Sequence, residues 1–264
     1  MPPPMTDFAR AARPGRRIGH RVEIHEVIDS TSDRARDLLE AGGVEGVAIV
    51  AEEQRAGRGR RGRTWTSPPG RNLMLSVALR PQLAVDDAWQ LGQAAALATR
   101  EACLAVAPVA LKWPNDVVSE DGRKVGGLLI ETALDEGRVA AAVIGIGLNV
   151  NWDPAEMPPE FAGTASSLAQ LAAGPVDRVA LLDRLLDALD AEVAAIESGR
   201  SPLERYRAAC STVGAEVVVE VGQSRIEGRA TQIDASGALV VATPGGLRRL
   251  TSGEVTRVRP AVPA

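Results

Sequence analysis

Apolar and polar positions alternate with two periods along this chain, and the switches between them mark out its elements. Residues 22–28 (VEIHEVI) read as a strand, and Asp29-Ser30-Thr31-Ser32 then offers helix-capping side chains ahead of RARDLLEAG, which stops at Gly42-Gly43. A short apolar strand at 47–51 (VAIVA) runs into EEQRAGRGRRGRTWTSPPGR, too rich in glycine and proline for a regular element and therefore a long loop. LMLSVALR (73–80) alternates like a strand, and 86–106 has helical composition with an acidic first turn. VALKWP, VGGLLIET and VAAAVIGIGLNV are β-rich segments separated by turn residues, which predicts a mixed or antiparallel sheet rather than a doubly wound one. Leucines at helical spacing fill 177–197, and a further helix, LERYRAAC, follows Ser201-Pro202. Beyond Ser211 the texture changes to short Val-rich runs punctuated by glycines, the pattern of a small five-stranded barrel.

These elements imply an α+β architecture: a flexible tail over 1–20, a main domain over 21–211 and the small barrel over 212–264. At 264 residues, 45% of them apolar and 24% charged, the chain has enough material for a large core, which excludes disorder and a disulfide-framed mini-protein. Thirty basic residues against 34 acidic give a net charge of −4, so no global field holds the chain on nucleic acid or an anionic membrane. Cys103 and Cys210 lie in Ala-rich helical patterns and read as buried thiols of a reducing compartment. The first residues, MPPPMTDFARAARPGRR, contain no apolar stretch of signal-peptide length, and no later run approaches the roughly 18 residues of a membrane helix. The expected location is the cytoplasm.

The distribution of basic residues is more telling than their number. Only two are lysine, Lys112 and Lys124, and the other 28 are arginine. A chain drifting from Lys to Arg keeps lysine chiefly where a compact ammonium cannot be replaced by a planar guanidinium. Lys112 lies in LKWPND, where Asn115 and Asp116 add an amide and a carboxylate suited to a ribose or base and to a hydrated Mg²⁺. Lys124 precedes Val125-Gly126-Gly127, where missing side chains let a ligand approach the backbone. Two of the four asparagines, Asn115 and Asn149, fall in these β-rich motifs.

Gly57, Gly59 and Gly62 have the spacing of a dinucleotide fingerprint, but the chain continues into Thr64-Trp65-Thr66-Ser67-Pro68-Pro69-Gly70 where that motif needs a helix. What remains is a loop of glycines interleaved with Arg55, Arg58, Arg60, Arg61 and Arg63, whose guanidiniums suit carboxylate or phosphate oxygens. A solvated charged loop and an Arg-Gly nucleic-acid segment are the competing readings; one short run, a single nearby tryptophan and an acidic chain weigh against the second. No histidine pair at metal spacing and no Gly-x-Ser-x-Gly elbow is present, so no protein nucleophile is indicated.

Taken in order, Ser30-Thr31, Gln54 leading into GRGRRGRTW, KWPNDV, KVGGLLIE and GIGLNV resemble the biotin protein ligase family over residues 30–149. The resemblance implies a catalytic domain like that of class II aminoacyl-tRNA synthetases and an SH3-like C-terminal barrel. It implies that biotin and ATP condense to biotinyl-5′-adenylate, with Mg²⁺, before the biotinyl group passes to one lysine of a carboxylase's biotin carboxyl carrier domain. By the family pattern Ser30, Thr31, Gln54, Arg58, Gly59, Arg60, Lys124 and Gly126 would hold biotin. Arg58, Arg60, Lys112, Asn115, Lys124 and Asn149 would hold ATP, Asp116 would serve the metal, and Arg60, Lys112 and Lys124 would act in catalysis. Ser32 stands where the family usually has Asn, so its hydroxyl would reach biotin only through a shift or a water. The roughly 20 residues before the first strand are too few for a winged helix, so the expected form is monofunctional, without DNA binding. A lipoate or octanoate ligase is the nearest rival, and a homodimer stays open.

Overall fold

The computed structural model describes residues 6–259. Among the described residues the first element is a 3-10 turn, Phe8–Ala11, followed by strands β1 (Val22–Ile28), β2 (Ala48–Gln54), β3 (Leu73–Leu79), β4 (Ala110–Lys112), β5 (Asp116–Val118), β6 (Lys124–Asp135) and β7 (Arg138–Leu148), with helices α1 (Thr31–Glu40) and α2 (Trp89–Leu104) between them. Helices α3 (Leu168–Leu171), α4 (Arg178–Glu197) and α5 (Leu203–Ala209) follow, and β8 (Glu216–Val221), β9 (Ser224–Ile233), β10 (Leu239–Thr243), β11 (Gly246–Leu250) and β12 (Glu254–Arg259) complete it.

Seven strands form one sheet in the order β1-β2-β3-β7-β6-β5-β4. Only the β1–β2 pair is parallel, joined through α1; the other neighbours are antiparallel. One face of this sheet packs its alternate residues, among them Leu73, Leu75, Val77, Leu79, Leu128, Ile144, Ile146 and Leu148, into the main core with α2 and α4. The other face meets α1 through a smaller cluster of Ala35, Val47, Ile49, Ala78 and Val143. That side is only partly covered, and the uncovered remainder holds the candidate site.

One expectation needs correcting. The predicted flexible tail is anchored within the described residues: Phe8, Ala11 and Ile18 are fully buried in the main core, while Ala9, Arg10 and Arg13 stay exposed. The segment is held by Arg16 on Asp187 at 2.9 Å and by the Ile18 amide on Asp190 at 2.9 Å. A strip with so few apolar residues shows no periodicity, so its burial had no sequence signal. As expected, the C-terminal unit is a small five-stranded antiparallel sheet, in the order β11-β10-β9-β8-β12 among the described residues. Both cysteines are free and buried; burial pushes the Cys103 thiol up to about 12.

Candidate active site

The floor of the site follows from strand alternation. Ser76 of β3 lies opposite Gly145 of β7, which lies opposite Leu129 of β6. One pleat along, Met74, Gly147, Gly127 and Asp116 form a second row across four strands. Glycines in these rows leave a trough where side chains would otherwise stand. A Cβ on Gly147 would lie 2.5 Å from Cε2 of Trp65, whose ring covers the trough, and one on Gly145 would lie 2.9 Å from Ser32 Oγ.

At the inner end of the trough is a polar cluster. Ser30 caps α1 by accepting from the Asp33 amide, which orients the first turn. Thr31 then donates from its backbone N–H and from its hydroxyl to Gln54 Oε1, at 2.7 and 3.0 Å. Ser76 Oγ lies 2.8 Å from Thr31 Oγ1 and 3.0 Å from Ser32 Oγ. These side chains, with Arg58, Gly59, Arg60, Trp65, Asn115, Lys124 and Gly127, line a cavity of about 60 Å³.

A wider cleft of about 490 Å³ adjoins it, sharing Gly59, Arg60, Trp65, Asn115 and Lys124 and adding Lys112, Asp116 and Asn149. Lys124 stands at the junction, its Nζ 2.8 Å from Asp116 Oδ1 and 5.7 Å from the centre of the Trp65 ring. Burial lowers the Lys112 ammonium below its ordinary pKa, with Asp116 opposing and Lys124 reinforcing the shift. Arg60 donates to Asn115 Oδ1 at 2.9 Å and to the Gly253 carbonyl at 3.4 Å, and burial pulls its pKa down as well. Asn115 in turn donates to the Leu128 carbonyl at 2.8 Å. Asn149 gives its amide N–H to the Ser166 carbonyl at 3.1 Å while its buried Oδ1 has no protein partner, which leaves an acceptor free on the cleft wall.

Most of the sequence-predicted residues therefore meet at these two cavities. Ser30 and Gly126 do not line either one. Ser30's hydroxyl serves the helix cap. Gly126 is turned the other way: a Cβ there would strike Leu148 at 2.5 Å, and Gly127 faces the trough instead. Arg58 lines the small cavity, but its guanidinium is engaged by Glu131 and Asp33. Sequence reasoning missed Ser76, the floor glycines Gly145 and Gly147, and the covering role of Trp65. The C-terminal unit also contributes to the cleft wall, where Glu254 pairs with Arg63 and lies 3.7 Å from Arg61. Strand alternation within GIGLNV was the available signal for the glycines.

Residues 24–149 match the Biotin/lipoate A/B protein ligase family, and residues 212–257 match the Biotin protein ligase C terminal domain. The Biotin--[acetyl-CoA-carboxylase] ligase of Paracoccus denitrificans is 36% identical over 86% of this chain and 96% of its own length. The protein of the same name from Mycobacterium tuberculosis is 35% identical over 89% of each. The chain belongs to the biotin protein ligase family. Among solved structures, the biotin protein ligase from Aquifex aeolicus in complex with biotin and ATP superposes with a TM-score of 0.73 at 29% identity, covering 91% of this chain and 99% of that one. The family's catalytic domain is of the class II aminoacyl-tRNA synthetase type, in keeping with the mixed sheet. Among the described residues no helix is long and apolar enough to cross a membrane.

Proposed function

We infer that the two adjoining cavities divide one reaction between them, the narrow trough taking biotin and the wide cleft taking ATP. The protein is an ATP-dependent ligase that activates biotin and transfers it to a carrier protein. The observation that carries the division of the site is the position of Lys124, whose ammonium belongs to both cavity walls beside Asp116.

At that junction a biotin carboxylate oxygen attacks the α-phosphorus of ATP, the bond to the bridging oxygen breaks, and pyrophosphate leaves with the electron pair. Two anions must approach while charge builds on the phosphoryl oxygens. Lys124, Lys112 and Arg60 supply fixed positive charge, and preorganised donors of this kind are each worth about 3–4 kcal/mol of barrier. The buried Asn149 Oδ1 accepts an N–H of the nucleotide, and the Thr31, Ser32, Ser76 and Gln54 cluster offers donors and acceptors to the ureido ring. In the second half-reaction the amine of the carrier lysine attacks the acyl carbon of the mixed anhydride and AMP departs. Trp65 and the glycine loop exclude water from the anhydride meanwhile.

Among the described residues no group of three or more His, Cys, Asp or Glu side chains is gathered as a metal cage. Asp116, a single carboxylate on the cleft wall, would hold a Mg²⁺ that keeps water and nucleotide phosphate oxygens as its other partners. When bound, the ion offsets phosphate charge. The acceptor is the biotin carboxyl carrier domain of a carboxylase, and the reaction takes place in the cytoplasm.

The test is incubation with MgATP and labelled biotin, lipoate or octanoate, followed by detection of the acyl-adenylate and of label on a carrier domain. Biotin alone is expected to be activated. Preference for lipoate or octanoate would overturn the reading. Lys124→Arg is expected to lose nearly all adenylate formation; retention of more than about a tenth of the rate would mean that charge suffices without ammonium geometry.

A further inference from the structure

The two arginines that flank Gly59 have different surroundings. Arg60 donates only to neutral oxygens, those of Asn115 and Gly253, so its charge remains available to an anion. Arg58 presents a fork to Glu131, NH1 on Oε1 at 2.9 Å and NH2 on Oε2 at 2.6 Å, and NH2 also lies 3.0 Å from Asp33 Oδ1. Arg36 of α1 closes the ring: its NH1 donates to Asp33 Oδ1 at 2.9 Å and its NH2 to Glu131 Oε2 at 3.1 Å. Two guanidiniums and two carboxylates from the loop, α1 and β6 thus form a neutral four-membered network.

A phosphate brought to the Arg58 fork would have to displace Glu131 or stand in contact with two carboxylates, and like charges at that distance repel. The one Arg58 nitrogen without a partner is the buried Nε, a single donor that can serve a neutral oxygen but cannot form a fork. We propose that the Arg58 side chain is a staple, not an anion ligand: Glu131, with Asp33 and Arg36, is a positioning residue that holds the glycine loop down over the trough. The strength of the network suits a reversible closure. All four side chains are about a third exposed, 32–43%, where isolated pairs contribute little and a shared bidentate arrangement contributes somewhat more. The loop opens when the fork leaves Glu131, and Arg60 and Trp65 move with Arg58, because its neighbours tie the loop together: the Gly59 amide donates to the Arg63 carbonyl at 2.7 Å and the Trp65 amide to the Gly57 carbonyl at 2.9 Å.

The proposal depends on the functional reading above only for its second measurement. The first is amide hydrogen exchange across residues 57–65 of the ligand-free full chain; the second is the release rate of preformed biotinyl-adenylate. Both are measured for the parent, Glu131→Gln, Arg58→Gln, the double variant and Arg36→Gln. Glu131→Gln and Arg58→Gln are each expected to raise loop exchange and release about fivefold, and the double variant no further than either alone. Arg36→Gln should act in the same direction by less. In Glu131→Gln the rate of adenylate formation at saturating substrates should hold within about twofold, because the lost closure acts on retention rather than on the reacting atoms.

Effects that multiply in the double variant would overturn the staple, as would unchanged loop exchange in Glu131→Gln. So would loss of adenylate formation in Arg58→Gln with exchange unaltered, which would make Arg58 an anion ligand. If Glu131→Gln fails to fold, Asp33→Asn and Arg36→Gln carry the test, since neither residue lines a cavity. Exchange is read without substrates, so a parent that formed no adenylate would defeat the functional reading while the exchange data still decided the staple.

Discussion

The two faces of the seven-stranded sheet are built by the same strands and do opposite things. On β7, Ile144, Ile146 and Leu148 fill the core beneath α2 and α4, whereas Gly145 and Gly147, interleaved with them, leave the trough open on the other side. On β3, Ser76 carries a hydroxyl into the site between Leu75 and Val77, which belong to the core. Stability on one side comes from filling every space. Binding on the other comes from withholding side chains where a ligand must lie and placing a few hydrogen-bonding groups at the end. A change of one position along a strand therefore exchanges a packing residue for a binding one.

Substitutions on the two faces should separate cleanly. Ile144→Ala, at a fully buried core position, is expected to cost about 2–5 kcal/mol in a urea unfolding titration while the biotin KM of the folded fraction stays near the parent's. Gly147→Ala puts a methyl where the Trp65 ring lies; overpacking of this kind costs about 1–3 kcal/mol, but the ring sits on a loop and can withdraw. Its expected signature is adenylate release faster by about tenfold with an almost unchanged urea midpoint, and a large drop in the midpoint instead would show that the trough belongs to the core. Ser76→Ala removes a hydroxyl bonded to both Thr31 and Ser32, and at about 1 kcal/mol it should raise the biotin KM about fivefold with kcat nearly constant.

The smallest effect is on pH dependence. Burial holds the Lys112 pKa below that of an ordinary lysine, so the group is charged below that lowered value and loses its proton as pH rises through it. Adenylate formation should accordingly fall along an alkaline limb that begins before a solvent-exposed lysine would titrate. Lys112→Arg, whose charge persists, should move that limb upward; an unmoved limb would assign it to another group.

How far the site was legible differs by residue. Thr31, Gln54, Arg60, Lys112, Asn115, Asp116, Lys124 and Asn149 were expected at the site and lie on the walls of the cavities, because local motifs place them at the start of a helix, near strand ends and in one loop. Ser76 sits in LMLSVALR, a segment whose alternation announces a strand but not which of its residues faces a ligand. Arg58 and Arg60 are two positions apart in one arginine-rich run, and nothing local distinguishes the one that meets Glu131 and Asp33 from the one that meets only neutral oxygens. Phe8 and Ile18 belong to a stretch with too few apolar residues for a period, and their burial depends on α4 offering Asp183, Asp187 and Asp190 to the segment between them.

From the order of residues alone came the alternation of strands and helices, the glycine-rich loop, the two retained lysines and the family pattern, all of which are written within short windows where backbone preference and side-chain period act. The tertiary structure alone decided which glycine of each pair faces the trough, which arginine is neutralised, and that Gly253 and Glu254 from the last sheet close on the loop. Those outcomes depend on register and on groups from elements 73 to 193 residues away. Electrostatic and packing energies act through space, and the chain's order does not state which of its distant parts will become neighbours.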